Sequence, residues 1–298
     1  MALIKRIKRP DLEVQKYNAC VLKSNESNRL YGQSWFLDAV TNQKWDCLVY
    51  ADYEAVMPLP IKTIGPIRWV TMPLFAQQLG IYGAHNLSAA QTDLFGKHLK
   101  KGYIKINWRA NTIFDADKLK LNVLTRINLE LNLNQNYTDL EANYNTNTKR
   151  NIKKSTKAGL VFKPVTDPDF IFNTMLKSSV DAFNIKEYAE AVTLLKACLT
   201  HQESLIYGVY TPENQLISAA LFCNDGNRTY YLWAYSTESA KQVGASHFLL
   251  DAFIQANCAN PLILDFEGSM IPGVAVFYKG FGALEVNYYS YSASYLGR

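Results

Sequence analysis

Apolar and polar positions alternate along much of this chain in runs that predict strands. Trp45-Asp46-Cys47-Leu48-Val49-Tyr50 and Ala55-Val56-Met57-Pro58-Leu59 flank a polar turn at Asp52-Tyr53-Glu54, the pattern of a β-hairpin. Leu205 to Tyr210 and Leu216 to Phe222 repeat it around Thr211-Pro212-Glu213-Asn214. Further strands are expected at Gly80–Gly83, Tyr103–Trp108, Thr229–Tyr235 and Leu262–Glu267. A 3.6-residue period marks helices instead. Gln33 to Val40 is one, Ser88 caps a second through Leu94, Phe95 and Leu99, and Gly244 opens a third with Phe248, Leu249, Ala252, Phe253 and Ala256. The two halves repeat one order of elements: Val49 and Tyr207, like Asn107 and Asp265, lie 158 positions apart. Two copies of a hairpin–strand–helix–strand unit are the economical expectation.

Between the halves, Tyr137 to Gly159 predicts one helix with Asp139 and Glu141 near its start, lysines near its end and Gly159 as its stop. Lys149, Lys153 and Lys157 form a stripe on it, flanked by Arg150 and Lys154. Such a stripe is either a solvated face or a phosphate-binding one. Pro168 to Thr200 carries Phe170, Phe172, Met175, Leu176, Val180, Phe183, Val192, Leu194, Leu195 and Leu199 at core spacing.

The chain has 298 residues, 48% hydrophobic and 13% aromatic, enough for one large or two ordinary domains. A net charge of +5 favours anionic partners without requiring nucleic acid. Five scattered cysteines with no CxxC pair read as reduced thiols, and neither they nor the four histidines have metal-ligand spacing. The start, MALIKRIKRP, lacks the apolar run of a signal peptide, and no stretch reaches the ~20 apolar residues of a membrane span. A soluble cytoplasmic protein is the expectation.

Chemistry concentrates at Leu262 to Gly282. If Leu262–Glu267 is a strand, Asp265 and Glu267 emerge side by side with Ile263, while Leu264 and Phe266 take the other face. Gly268-Ser269 breaks the strand, Pro272 starts a helix bearing Tyr278, and Gly280 and Gly282 stop it. Two carboxylates facing a tyrosine suit proton transfer. Plainer readings stand beside this one: Asp265 bonds the turn after its strand, Tyr278 only packs its ring, and the Tyr230–Tyr235 aromatics only pack the sheet. Dinucleotide, P-loop and serine-hydrolase chemistry lack GxGxxG, GK[ST] and GxSxG.

This order of elements, with NTKRNIKKSTKAGL at Asn147–Leu160, the Tyr230–Tyr235 strand, Lys241-Gln242-Val243-Gly244-Ala245-Ser246, DFEGS at Asp265–Ser269 and FYKGFG at Phe277–Gly282, resembles the tandem GNAT acyltransferases, typified by Fem-type aminoacyltransferases and BioF-like acetyltransferases. The resemblance implies α/β architecture with mixed sheets: a degenerate GNAT-like domain at 1–155, a connecting basic helix, and an acyl-donor domain at 156–298. It implies acyl-CoA held by Tyr231, Trp233, Tyr235, Lys241, Gly244, Ala245 and Ser246, with Glu267 as base, Asp265 beside it and Tyr278 at the leaving group. The usual loop pattern has Arg or Gln first and Gly or Ala last, whereas here Lys241 and Ser246 stand there. The implied reaction is N-acyl transfer to a small-molecule or peptide amine. The alternatives are transfer from aminoacyl-tRNA to a peptidoglycan precursor, with Lys149, Arg150, Lys153, Lys154 and Lys157 on the tRNA, or a binding protein that has lost catalysis.

Overall fold

The computed structural model describes residues 4–24, 29–83, 87–167, 174, 176, 184–201, 204–268 and 271–295. In chain order the elements begin β1 (Ile4–Lys8), α1 (Val14–Leu22), α2 (Ser34–Thr41), β2 (Trp45–Tyr50), β3 (Ala55–Ile64), β4 (Ile67–Thr71), β5 (Tyr82–Gly83), α3 (Ala89–Leu99), β6 (Lys105–Ala110) and α4 (Ala116–Leu119). They continue with β7 (Asn122–Asn132), α5 (Tyr137–Ala142), α6 (Thr146–Lys157), β8 (Val161–Pro164), α7 (Ile185–Thr200), β9 (Ser204–Tyr210), β10 (Leu216–Asn224) and β11 (Arg228–Ser236). Last come α8 (Glu238–Val243), α9 (Ala245–Asn257), β12 (Ile263–Asp265), α10 (Pro272–Lys279) and β13 (Leu284–Ser294).

Two compact units share these elements: Met1–Arg126 with Ala189–Ala197 and Asn287–Arg298, and Ile127–Tyr188 with Cys198–Val286. In the first, strands run β1-β2-β3-β4-β6-β13, antiparallel except for β4 against β6, which the α3 crossover makes parallel. Trp108 and Tyr291, directly opposite on β6 and β13, pack with Phe114 at ring distances of 5.2–6.4 Å, all three buried.

The second unit has the same pairing, β8-β9-β10-β11-β12-β7, with β11 and β12 the parallel pair and α9 their crossover. The expected repeat of elements is therefore present as a repeat of strand pairing. Each sheet is completed by a strand from the other half of the sequence, β13 in the first unit and β7 in the second. β10 is buried from Ile217 to Cys223, as a central strand's apolar run requires. It packs under α9, where the Phe222 and Phe253 rings stack 3.7 Å apart. Leu249, Leu250, Ile254, Leu264 and Phe266 complete that core.

The helix expected over Tyr137–Gly159 is two helices. Asn136 caps α5 by accepting from the Asp139 N–H at 2.9 Å, and Asn145 caps α6 by accepting from Thr148 at 2.8 Å. The Asn145 N–H is spent on the Gly280 carbonyl, so the chain turns between them. Gly159, at φ +65°, ends α6 as expected. In Pro168–Thr200 the described residues give α7, with Ala191, Leu194, Leu195 and Cys198 buried, and Leu176 is buried as well. Phe170, Phe172, Met175, Val180 and Phe183 lie outside the described residues.

Candidate active site

β11 and β12 run side by side only from Arg228–Ile263 to Tyr230–Asp265. There β12 ends. β11 continues to Ser236, still paired with β10 on its other side, but among the described residues no strand lies beside Tyr231–Ser236 on the side β12 has left. A bulge at Leu221/Phe222 leaves Leu232 without a cross-strand partner and bends β11 where the two strands part. Ala234 is exposed, and Trp233 and Tyr235 are half-buried. In the first unit the corresponding pair ends the other way. β4 stops at Thr71, and the chain from Met72 to Leu79 lies along β6, with Met72 N–H on the Asn107 carbonyl and Leu79 N–H on the Arg109 carbonyl at 2.8 Å.

The strand expected to reach Glu267 stops at Asp265. Glu267 has φ +58° and Gly268 +57°, so the backbone swings out of the sheet and the two carboxylates do not emerge side by side. The cause is local. Asp265 Oδ1 accepts the Glu267 N–H at 2.8 Å, an Asx-type bond that replaces the next ladder bond. Gly268 is required here: a Cβ would stand 2.4 Å from the Ile127 carbonyl.

Asp265 is fully buried. Its Oδ1 also accepts from Asn128 Nδ2 at 3.1 Å, and its Oδ2 lies 3.7 Å from Arg228 Nη1, which pairs with Glu130 at 2.7 Å. Glu130 faces Asp265 directly across the β7–β12 ladder, and Asn128 is two residues along the same face. Coulombic attraction and the bond from Glu130 raise the Arg228 pKa despite its burial. Asp265 is thus a buried anchor, the turn-bonding role that the sequence left open for it. Arg228, Glu130 and Asn128 were not anticipated, because no local pattern tells that β7 lies beside β12. Next to them Asp225 takes the Tyr230 hydroxyl at 2.7 Å and the Arg228 and Asn227 N–H groups, and burial pushes its carboxyl up.

Glu267 is only half-buried and acts electrostatically on two groups. Tyr278, on α10, stacks on Phe266 at 4.7 Å and meets Tyr231 edge-on at 6.0 Å. Burial first, and the Glu267 charge second, push its hydroxyl pKa up, so it holds its proton. The Cys198 thiol is raised too, by its bond to Cys223, by burial and by Glu267. Tyr231 itself is buried in this aromatic cluster, so it offers a ligand only backbone.

The segment Lys241–Ser246 is a corner between helices. Lys241 sits exposed in the last turn of α8, 2.8 Å from Glu238. Gly244 takes φ +75° and starts α9 with no side chain capping its first turn, where Ala245 and Ser246 stand. Ser246 Oγ lies 2.9 Å from Ser236 Oγ at the end of β11. α6 clamps this corner: Ser155 Oγ donates to the Val243 carbonyl at 2.6 Å, and a Cβ on Gly244 would stand 2.8 Å from the Asn151 carbonyl. Thr148, Ile152 and Ser155 face inward on α6, and Lys149, Arg150, Lys153, Lys154 and Lys157 are all exposed. None of the five makes an ion pair with a described carboxylate. Lys149 bonds the Ala142 carbonyl and Arg150 the Asn147 side chain.

Among solved structures, a crystal structure of FemX superposes with a TM-score of 0.68 over 96% of each chain, at 11% identity. The chain has the Fem-type, GNAT-like fold. A protein of unknown function from Bacteroides thetaiotaomicron gives 0.59 at 10% identity over 99% of this chain and 100% of that one. The C-terminal domain (DUF2156) of a putative lysylphosphatidylglycerol synthetase from Agrobacterium fabrum gives 0.57 at 10% identity, over 95% and 91%. No protein-family model and no curated protein matches the sequence. The FemX likeness covers both units, and at this identity it carries the fold alone. Among the described residues no helix is long and apolar enough to cross a membrane.

Proposed function

We propose that the second unit transfers an acyl group from acyl-CoA to an amine at the place where β11 and β12 part. One observation carries this reading: among the described residues β11 has no strand beside Tyr231–Ser236 on its β12 side, and Glu267 stands in a strained turn at the end of the strand that leaves it. A left-handed non-glycine residue is uncommon, and such strain concentrates at functional sites. The backbone edge around Trp233 and Tyr235 suits the donor's amide arm by strand addition, and the Ala245 and Ser246 N–H groups suit its phosphates. Lys241, already paired with Glu238, adds only distant charge.

Glu267 takes a proton from the acceptor, which arrives as an ammonium with pKa near ~10. The freed nitrogen lone pair attacks the acyl carbon and the C–N bond forms. Glu267, having passed its first proton to solvent, takes the second proton now carried by the nitrogen and returns it to solvent as well, and the C–S bond breaks with its electrons going to sulfur. Tyr278, still protonated at neutral pH, donates to the departing sulfur and is reprotonated from solvent. Asp265 stays out of the proton path and fixes the turn that carries Glu267.

A second donor is favoured by α6. Five exposed cations on the helix that clamps the Gly244 corner suit aminoacyl-tRNA as donor, with a peptidoglycan precursor as acceptor. Thermal-shift titration with CoA, acetyl-CoA and tRNA separates the two, because a ligand stabilises in proportion to RT ln(1 + [L]/Kd). CoA-dependent stabilisation with thiol release on adding amines supports the first reading, and salt-sensitive stabilisation by tRNA the second. No response to any of them overturns both and leaves a binding protein.

A further inference from the structure

The first unit holds a cluster of opposite character, which does not rest on the transferase reading. Arg109 lies opposite Ser290 in the β6–β13 ladder, so Tyr288, two residues before Ser290, shares its face. That face is turned away from the Trp108–Phe114–Tyr291 core. Tyr288 is buried, with its hydroxyl beside both the Arg109 and the Arg126 guanidinium. Arg109 also donates from Nη2 to the Ala76 carbonyl at 3.0 Å. Both arginines are half-buried; burial first, and the nearby Arg126 charge after it, lower the Arg109 pKa.

No described carboxylate pairs with either arginine. Tyr288 does not supply the missing charge, since burial raises its pKa and keeps the phenol neutral. The Arg126 Nε–H is buried without any hydrogen-bond acceptor. Two half-buried guanidiniums brought together repel one another and lose part of their hydration, a cost that a bound anion offsets. Planar guanidinium forks match the paired oxygens of carboxylate or phosphate. Arg109 also stands 158 positions before Glu267, the offset relating the two halves, so the first unit carries a cation where the second carries its acid.

We propose that Arg109, Arg126 and Tyr288 form a binding site for an oxyanion, the carboxylate or phosphate group of a small molecule. Calorimetric titration of the whole chain with sodium phosphate, sodium citrate and sodium acetate, at ionic strength held constant with sodium chloride, tests it. Saturable one-site binding is expected, weakened at least tenfold by Arg126→Gln and unchanged by Lys97→Gln, an exposed lysine on α3. Binding of phosphate alone assigns a phosphate ester, and binding of citrate or acetate without phosphate assigns a carboxylate. No saturable binding of any of the three, or equal affinity in Arg126→Gln, overturns the site. Should Arg126→Gln fail to fold, phenylglyoxal labelling of the unaltered protein with peptide mass mapping decides. Protection of Arg126 but not of Arg9, which is paired with Asp38, by the bound anion supports the site, and equal labelling of Arg126 with and without the anion overturns it.

Discussion

The Asp265 carboxylate accepts the backbone N–H of Glu267 at 2.8 Å, and this bond turns the Glu267 side chain out of the sheet. The two acids therefore divide the work: one is a buried hinge pin, the other the group it presents. Exchanging them by mutation should give opposite phenotypes.

Glu267→Gln should keep the fold and lose the reaction. Half-buried and outside the ladder, Glu267 contributes little to stability, so Tm should shift by only about 2 °C. Removing a general base costs roughly 10²- to 10⁴-fold in rate. Steady-state kinetics against an amine panel, with a pH profile, check it. An unchanged rate and profile would remove Glu267 from the mechanism.

Asp265→Ala should do the reverse. It takes away the buried acceptor of the Glu267 N–H and of Asn128 Nδ2, a loss of about 1–3 kcal/mol for each such bond. Urea denaturation of Asp265→Ala beside Glu267→Gln measures the contrast. Equal stability of the two variants would contradict the anchor role.

Gly268→Ala should be among the most damaging small substitutions in the chain. It combines a left-handed backbone with a 2.4 Å approach to the Ile127 carbonyl, and a cost of about 2–4 kcal/mol is expected from denaturant midpoints.

His247 gives the second unit an acid sensitivity. Burial against Phe277 and Phe281 lowers its pKa to about 4, from about 6.5 for an unperturbed histidine. The unfolded chain therefore binds the extra proton first. Stability from this residue is complete above the unfolded pKa and is lost as pH falls from about 6.5 toward 4. Urea midpoints at pH 7 and pH 5 should differ less in His247→Phe than in the unaltered protein.

Replacing Lys149, Lys153 and Lys157 together by glutamine should leave Tm unchanged, since all three are exposed and free of ion pairs with described residues. If tRNA binds, the slope of log affinity against log salt should fall by about one for each lost phosphate contact. Filter binding over a salt series reads it.

Much of this was legible in the sequence. The hairpins, the Ser88 cap and the α9 stripe are local signals, and the structure places each near its expected bounds. β7 was missed although Ile127, Leu129 and Leu131 alternate there, and β13 was missed although its tyrosines favour strands. Glu267 continued the alternation of its strand in the sequence. Its turn depends on an Asp265 side-chain bond and on the backbone of β7 beside Gly268, contacts that periodicity does not encode. The Arg228–Glu130 pair is likewise a meeting of distant segments, and so is the convergence of Arg109 and Arg126 on Tyr288.

The exchange of closing strands also bears on how the molecule is made. Synthesis runs from the N-terminus onward, yet the first unit's sheet waits for β13, the last of the described strands. During translation β6 has a bare edge until residues 289–294 emerge, whereas the second unit has had β7 in hand since early in synthesis. The half made first is therefore the half finished last, and a ribosome stalled before β13 holds a nascent chain whose earliest sheet is still open to neighbours.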